Sequence, residues 1–167
     1  MSMHIDPVPR EARPFQGHRA GLVTRAAAGA IDVGIVIIAS GALYLGITAF
    51  DFLLDPRNFS APTPSPGLVY VVGCLLLILY LAVSWTGNGR TYGNHVMGLR
   101  VVNRDGRGLH PLAALVRAAL YVIFPIGLLW VLVSGQNRSL QDLVLRTSVI
   151  YDWELGPLQP PTDATRT

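Results

Sequence analysis

Lysine is absent from this 167-residue chain, and all 13 basic residues are arginine. No P-loop lysine is present to cradle a phosphate, and no side-chain amine can serve as a nucleophile or form a Schiff base. A GC-rich genome is the plainest source of that bias. Cysteine occurs once, as Cys74 inside an apolar stretch. It excludes an intrachain disulfide and reads as packing. Charge is also scarce, at 14% of residues against 51% hydrophobic ones. The net charge of +3 comes from scattered arginines without a clustered basic face, so nucleic-acid binding is not expected. His4, His18, His95 and His110 lack metal-ligand spacing, so neither a metal nor a cofactor is expected. No Gly-x-Ser-x-Gly nucleophile elbow occurs, and Gly87-Asn-Gly89 lacks the strand–turn–helix setting of a nucleotide fingerprint. An enzyme is therefore not expected.

What the chain does have is long apolar runs. Leu22–Phe50 would form a helix about 43 Å long, against roughly 30 Å of hydrocarbon in a bilayer. It starts too late, runs too long and lacks the small-residue cleavage site of a signal peptide, so it reads as an uncleaved first span. The loop 51–66 contains Pro56, Pro62, Pro64 and Pro66 and is extended. A second span runs over Gly67–Trp85. The connector 86–110 is polar and glycine-rich. Within it, Thr91–Leu99 is expected as a short interfacial helix and Leu99–Asn103 as a strand turning back at Arg104-Asp105-Gly106. A third apolar segment, Leu112–Ser134, is broken at Pro125 and either crosses the membrane or re-enters it. Ser139–Arg146 is amphipathic, and Thr147–Tyr151 is β-branched.

The expected fold is thus an all-α integral membrane protein with two transmembrane helices, the third segment broken at Pro125, and a short cytoplasmic hairpin connector. Its parts are a cytoplasmic N-terminal segment 1–20, a membrane domain 21–151 and a polar tail 152–167. Arginine is rich in the N-terminal segment and in 86–110 but poor in 51–66, which puts the N-terminus in the cytoplasm and favours a cytoplasmic tail. Trp85, Trp130 and Trp153 read as interface anchors.

The most telling residue is Asp32. A carboxylate at the centre of a membrane helix costs roughly 2.5–3.5 kcal/mol on insertion scales, and its charge partner must come from elsewhere in the chain. Helical spacing places Arg25, Gly29, Asp32, Val36, Ala39 and Leu43 on one face. Arg25, about 10.5 Å from Asp32 along the axis, is free to snorkel to the headgroups. Arg117 is the one arginine deep in an apolar stretch, and pairing with Asp32 would relieve both. Asp142 either pairs with Arg138 and Arg146 at i±4 on a solvated helix, the reading that pattern alone favours, or reaches Arg25.

Gly21-Leu-Val-Thr-Arg25 with Ala30-Ile-Asp32 resembles the opening signature of the RDD membrane proteins, named for an arginine and two aspartates. Gly89-Arg-Thr-Tyr-Gly-Asn-His-Val-Met-Gly-Leu-Arg-Val-Val with Asp105-Gly106 resembles their connector. Arg138-Ser-Leu-Gln-Asp142, ending in Arg146-Thr-Ser-Val-Ile, resembles their C-terminal motif. Together they cover about residues 20–151. The resemblance makes Arg25, Asp32 and Asp142 the functional motif, with Gln141 where histidine is common and Asn94-His95 in place of Lys-Arg. It implies a bacterial inner (cytoplasmic) membrane location and transport of an unidentified ion or small solute, with Asp32 as the embedded ionisable group. Two or three spans are too few to enclose a polar path, so a homo-oligomer or other membrane subunits are expected as partners besides the bilayer. The alternative is a non-enzymatic accessory or assembly subunit of a larger membrane complex.

Overall fold

The computed structural model describes residues 17–103, 108–125, 127, 130 and 139–153. The first apolar run is one unbroken helix, α1 (Leu22–Leu54), about 50 Å long. The second helix, α2 (Pro66–Gly87), has a well-defined start. The Ser65 hydroxyl accepts from the Leu68 N–H at 3.3 Å, and Pro66 occupies a first-turn position where a missing N–H costs nothing. Gly89, at φ +69°, turns the chain; a side chain there would strike the Val101 carbonyl oxygen. Thr91 then caps a one-turn helix, α3 (Tyr92–Val96), by accepting from the Asn94 N–H at 3.0 Å.

The expected strand Leu99–Asn103 is present as β1, but its partner is not the one a local hairpin would supply. β1 pairs antiparallel with β2 (Thr147–Tyr151), in a register from Leu99 opposite Tyr151 to Asn103 opposite Thr147. Hydrophobic side chains decide this. Leu99, Val101 and Val149 are buried in the core with Ala114 and Ala118 of the next helix, which a solvent-facing hairpin would leave wet. The turn residues 104–107 lie outside the described residues. The chain is therefore mostly helical rather than all-α, with a two-stranded sheet at one end.

The third apolar stretch begins as α4 (Pro111–Ile123), capped by His110 and again opened by proline. It ends immediately before Phe124-Pro125, as expected, because proline disfavours helical geometry in the residue ahead of it. At about 20 Å, α4 is shorter than roughly 30 Å of hydrocarbon. Residues 126, 128–129 and 131–138 lie outside the described set. Beyond them, the Gln141 side-chain amide donates to the Phe124 carbonyl at 3.0 Å from a short helix, α5 (Leu140–Val144). The chain is thus beside α4 again by Gln141.

The N-terminal residues join the same end. The Ala20 N–H donates to Val149 O at 2.9 Å, Gly17 N–H to Tyr151 O at 2.8 Å, and Tyr151 N–H to His18 O at 2.9 Å. These bonds, with the Asp152 N–H to Gly98 O at 2.8 Å, tie residues 17–20 and 152 to the packed unit. They also bring residues 17–20 and 147–152 to the same end of the molecule. The molecule consequently has two unlike ends. At one, α3, the sheet, α5 and the first turns of α1 pack on α2 and α4. At the other, α1 beyond Val36 stands almost free, with Ile38 73% exposed and the most apolar stretch of the helix wholly unburied.

Candidate functional site

On α1 the buried residues are Arg25, Ala28, Asp32 and Val36, at helical spacing along one stripe. That matches the expected face for three turns. It then fails at Ala39 and Leu43, which are both exposed. Gly29 allows a close approach of α4. A Cβ there would lie 2.5 Å from the Tyr121 hydroxyl of α4.

Asp32 is 4% exposed and is held by hydroxyl and amide donors. Oδ1 accepts from the Tyr80 hydroxyl at 2.9 Å and from the Gly93 N–H at 2.8 Å, and Oδ2 accepts from the Thr91 hydroxyl at 2.6 Å. The Tyr80 oxygen also accepts from the Tyr92 N–H at 3.0 Å. One carboxylate therefore fastens α1 to α2 and to the start of α3. Gly93 is obligatory in this arrangement. Any Cβ would run into the Ala28 carbonyl oxygen and come within 2.9 Å of Asp32 Oδ1. The expected Asp32–Arg117 pair is not formed. Three good donors already satisfy the carboxylate, and Arg117 has a different anion to meet.

That anion is Asp142, which is 1% exposed. Arg25 Nη1 donates to its Oδ2 at 2.5 Å and Arg117 Nη1 to its Oδ1 at 2.5 Å. Arg117 Nη1 also meets the Thr147 hydroxyl, which lies 3.3 Å from Asp142 Oδ1. Asp142 simultaneously completes a capping box, accepting from the Ser139 N–H at 3.2 Å while the Ser139 hydroxyl accepts from the Asp142 N–H at 3.2 Å. Arg25 is anchored in turn by its Nε–H to Ala20 O at 3.1 Å. Helices α1, α4 and α5 and strand β2 therefore converge on a single carboxylate.

Two expectations are corrected here. Asp142 does not sit on a solvated helix, and its described partners are Arg25 and Arg117. Arg146 is exposed, at φ +52°, and Arg138 lies outside the described residues. Nor does Arg25 snorkel to headgroups, being almost fully buried. A short amphipathic pattern cannot distinguish a helix with one wet face from one docked on a charged cleft. The docked form wins because two buried guanidiniums require an anion. Burial alone would push the Asp142 carboxyl up. The guanidiniums of Arg117 and Arg25 outweigh it and hold the group well below the usual carboxylate range.

Trp85 is likewise no interface anchor. It is 3% exposed, edge-on to Tyr121 at 6.0 Å, and its ring faces the Arg117 guanidinium 5.1 Å from the centroid. Trp153 packs over Gly98, whose φ of +63° admits no other residue comfortably and whose missing side chain the indole replaces. Trp130 is exposed.

A second arginine–aspartate–arginine contact was not anticipated. Asp152 Oδ2 accepts from Arg90 Nη2 at 2.7 Å and Arg100 Nη1 at 2.8 Å, binding the connector to the segment after β2. Its arginines were visible as connector charge, but nothing local to either segment pairs them. The donors to Asp32 were also missed, although Thr91 carries the signal of a helix cap before Asn94. Among the described residues no group of three or more His, Cys, Asp or Glu is placed to hold a metal.

Two helices long and apolar enough to span a bilayer, joined at the packed end through the Tyr80 hydroxyl and Asp32, are the frame of a small helical membrane protein. A model of the RDD family matches residues 19–146, and the chain belongs to that family. Neither a curated protein nor a solved structure matches it.

Proposed function

We propose that this RDD protein is a non-enzymatic subunit of an assembly in the cytoplasmic membrane, its N-terminus and tail cytoplasmic, its neighbours other membrane subunits or further copies of itself. One observation carries the reading. Asp32 and Asp142 are each held by several donors of their own chain, and those contacts join α1 to α2, α3, α4, α5 and β2. Carboxylates used this way fix packing. Arginines in 17–25 and in the connector, against one arginine in the 51–66 loop, support a cytoplasmic packed end. Helix α4 then dips into the bilayer and returns at Pro125, which leaves two full crossings. Since α1 is longer than the hydrocarbon, Val33–Leu54 forms the span proper and Asp32 lies at its cytoplasmic margin.

A second reading, transport of an ion or small solute through an oligomer, is favoured by a specific contrast. Asp142 is clamped between guanidiniums, whereas Asp32 accepts from hydroxyls and one amide. This reading assigns the transported ion or solute to the Asp32 side of the packed end. Asp32→Asn separates the two readings. The subunit reading expects lower abundance or loss of co-purifying subunits, with no ion flux attributable to the wild-type protein in proteoliposomes. Flux that the wild-type protein supports, and that a normally folded, normally abundant Asp32→Asn variant lacks, would instead establish transport. Native mass spectrometry of the detergent-extracted protein reads the partner copies or subunits directly.

A further inference from the structure

Between the Asp32 contacts and the Asp142 contacts lies a cavity of about 20 Å³. Its polar walls are Arg25, Asp32, Trp85, Asn94, Arg117 and Tyr121. All but Tyr121 are buried. Two of these residues carry a buried donor with no partner among the described residues, namely Arg117 Nε and Trp85 Nε1. A buried N–H left unmatched is costly, and both Arg117 and Trp85 are 3% exposed. The space is about that of one water molecule, for which roughly 10–15 Å³ is the minimum.

We infer that this cavity is a binding site for a single water molecule, which joins the Asp32 network to the Arg25–Asp142–Arg117 network. Charge selects the occupant. Two guanidiniums and the Asp32 carboxylate line the space, and Asp142, bound to both guanidiniums behind the wall, balances the remaining positive charge, so a neutral molecule fits where an ion of either sign would leave a buried excess. Hydrogen bonding selects it again. The water accepts from Arg117 Nε and Trp85 Nε1 and needs two acceptors for its own hydrogens. A carboxylate offers about four acceptor positions, and Asp32 uses three of them in the contacts above. Asn94 and Tyr121 each provide a further oxygen. A metal cation finds two arginines in the wall, and a halide faces Asp32. The site is independent of either functional reading.

The experiment is a high-resolution structure of the full chain purified in rubidium bromide, with anomalous data collected for both ions. One peak without anomalous signal, within about 2.7–3.2 Å of Arg117 Nε and Trp85 Nε1, is the expected result. An anomalous bromide or rubidium peak, or no peak at all, overturns the inference. Trp85→Phe keeps a ring over Arg117 and deletes one donor. In that variant the peak should be lost or displaced while the Arg117–Asp142 contact persists, and an unchanged peak would count against the site.

Discussion

At the packed end two arginines close on Asp142, where almost none of the carboxylate reaches solvent. From Ile37 to Leu54 nearly every side chain of α1 lies bare. The two regions differ in what holds them. The packed end consists of short pieces, with α3 and α5 at five residues each and strands of five. None of these would persist alone, since isolated helices under about 12–15 residues are marginal. Buried charge and hydrogen bonds give each piece one position. The far end of α1 needs no such help, because a long apolar helix satisfies its own backbone and takes lipid as its solvent. Polar contacts thus specify geometry where the local sequence is weakest, and apolar surface suffices where it is strongest.

The largest test of that contrast is Asp142→Asn. It leaves Arg25 and Arg117 buried without an anion, a class of change that costs about 3–5 kcal/mol. The variant should show a large fall in melting temperature in detergent, or fail to accumulate. Retention of wild-type melting would mean that the cluster is not what holds the end together.

Acid should produce the same failure in the unmodified protein, and its sign follows from the depressed Asp142 carboxyl. Its contribution to stability is complete above the ordinary carboxylate value, about pH 3.9. It is lost only as the pH falls through the lower folded value. A melting series should therefore show no pH dependence from Asp142 between about pH 5 and 7 and progressive loss of stability below about pH 4. Loss centred near neutrality would place the sensitive group elsewhere.

Gly93→Ala should come next, at about 1–3 kcal/mol for forced overpacking. The new methyl meets the Ala28 carbonyl and Asp32, so hydrogen exchange should accelerate in α3 before it does in the sheet. Leu45→Ala on the bare stretch should be smallest, within about 0.5 kcal/mol in detergent. A larger loss would show that this face is covered by a second copy or another subunit in the extracted protein, which would erase the contrast between the two ends.

Much of this was legible in residue order. Apolar run lengths set both spans, Pro125 set the end of α4, and the β-branched stretches at Leu99–Asn103 and Thr147–Tyr151 set two strands. Arg25, Asp32, Asp142 and Arg117 were all identifiable as residues needing partners, because charge in an apolar segment announces its own cost. Of the pairings, only Asp142 with Arg25 was offered, as the alternative to its i±4 neighbours; the rest were not legible. Local spacing offered Asp142 two arginines at i±4, yet it took Arg25 and Arg117 from helices far away in the chain. Asp32 took its donors from Tyr80, Thr91 and Gly93, ordinary residues that carry no mark of the role.

The reason is one of range. Helix length, breaks and the need to compensate a buried charge are properties of neighbouring residues, so the linear chain determines them. Which guanidinium meets which carboxylate, and whether β1 folds on its own turn or on β2, depends on the total burial achieved when distant segments dock. Only the assembled structure decides that.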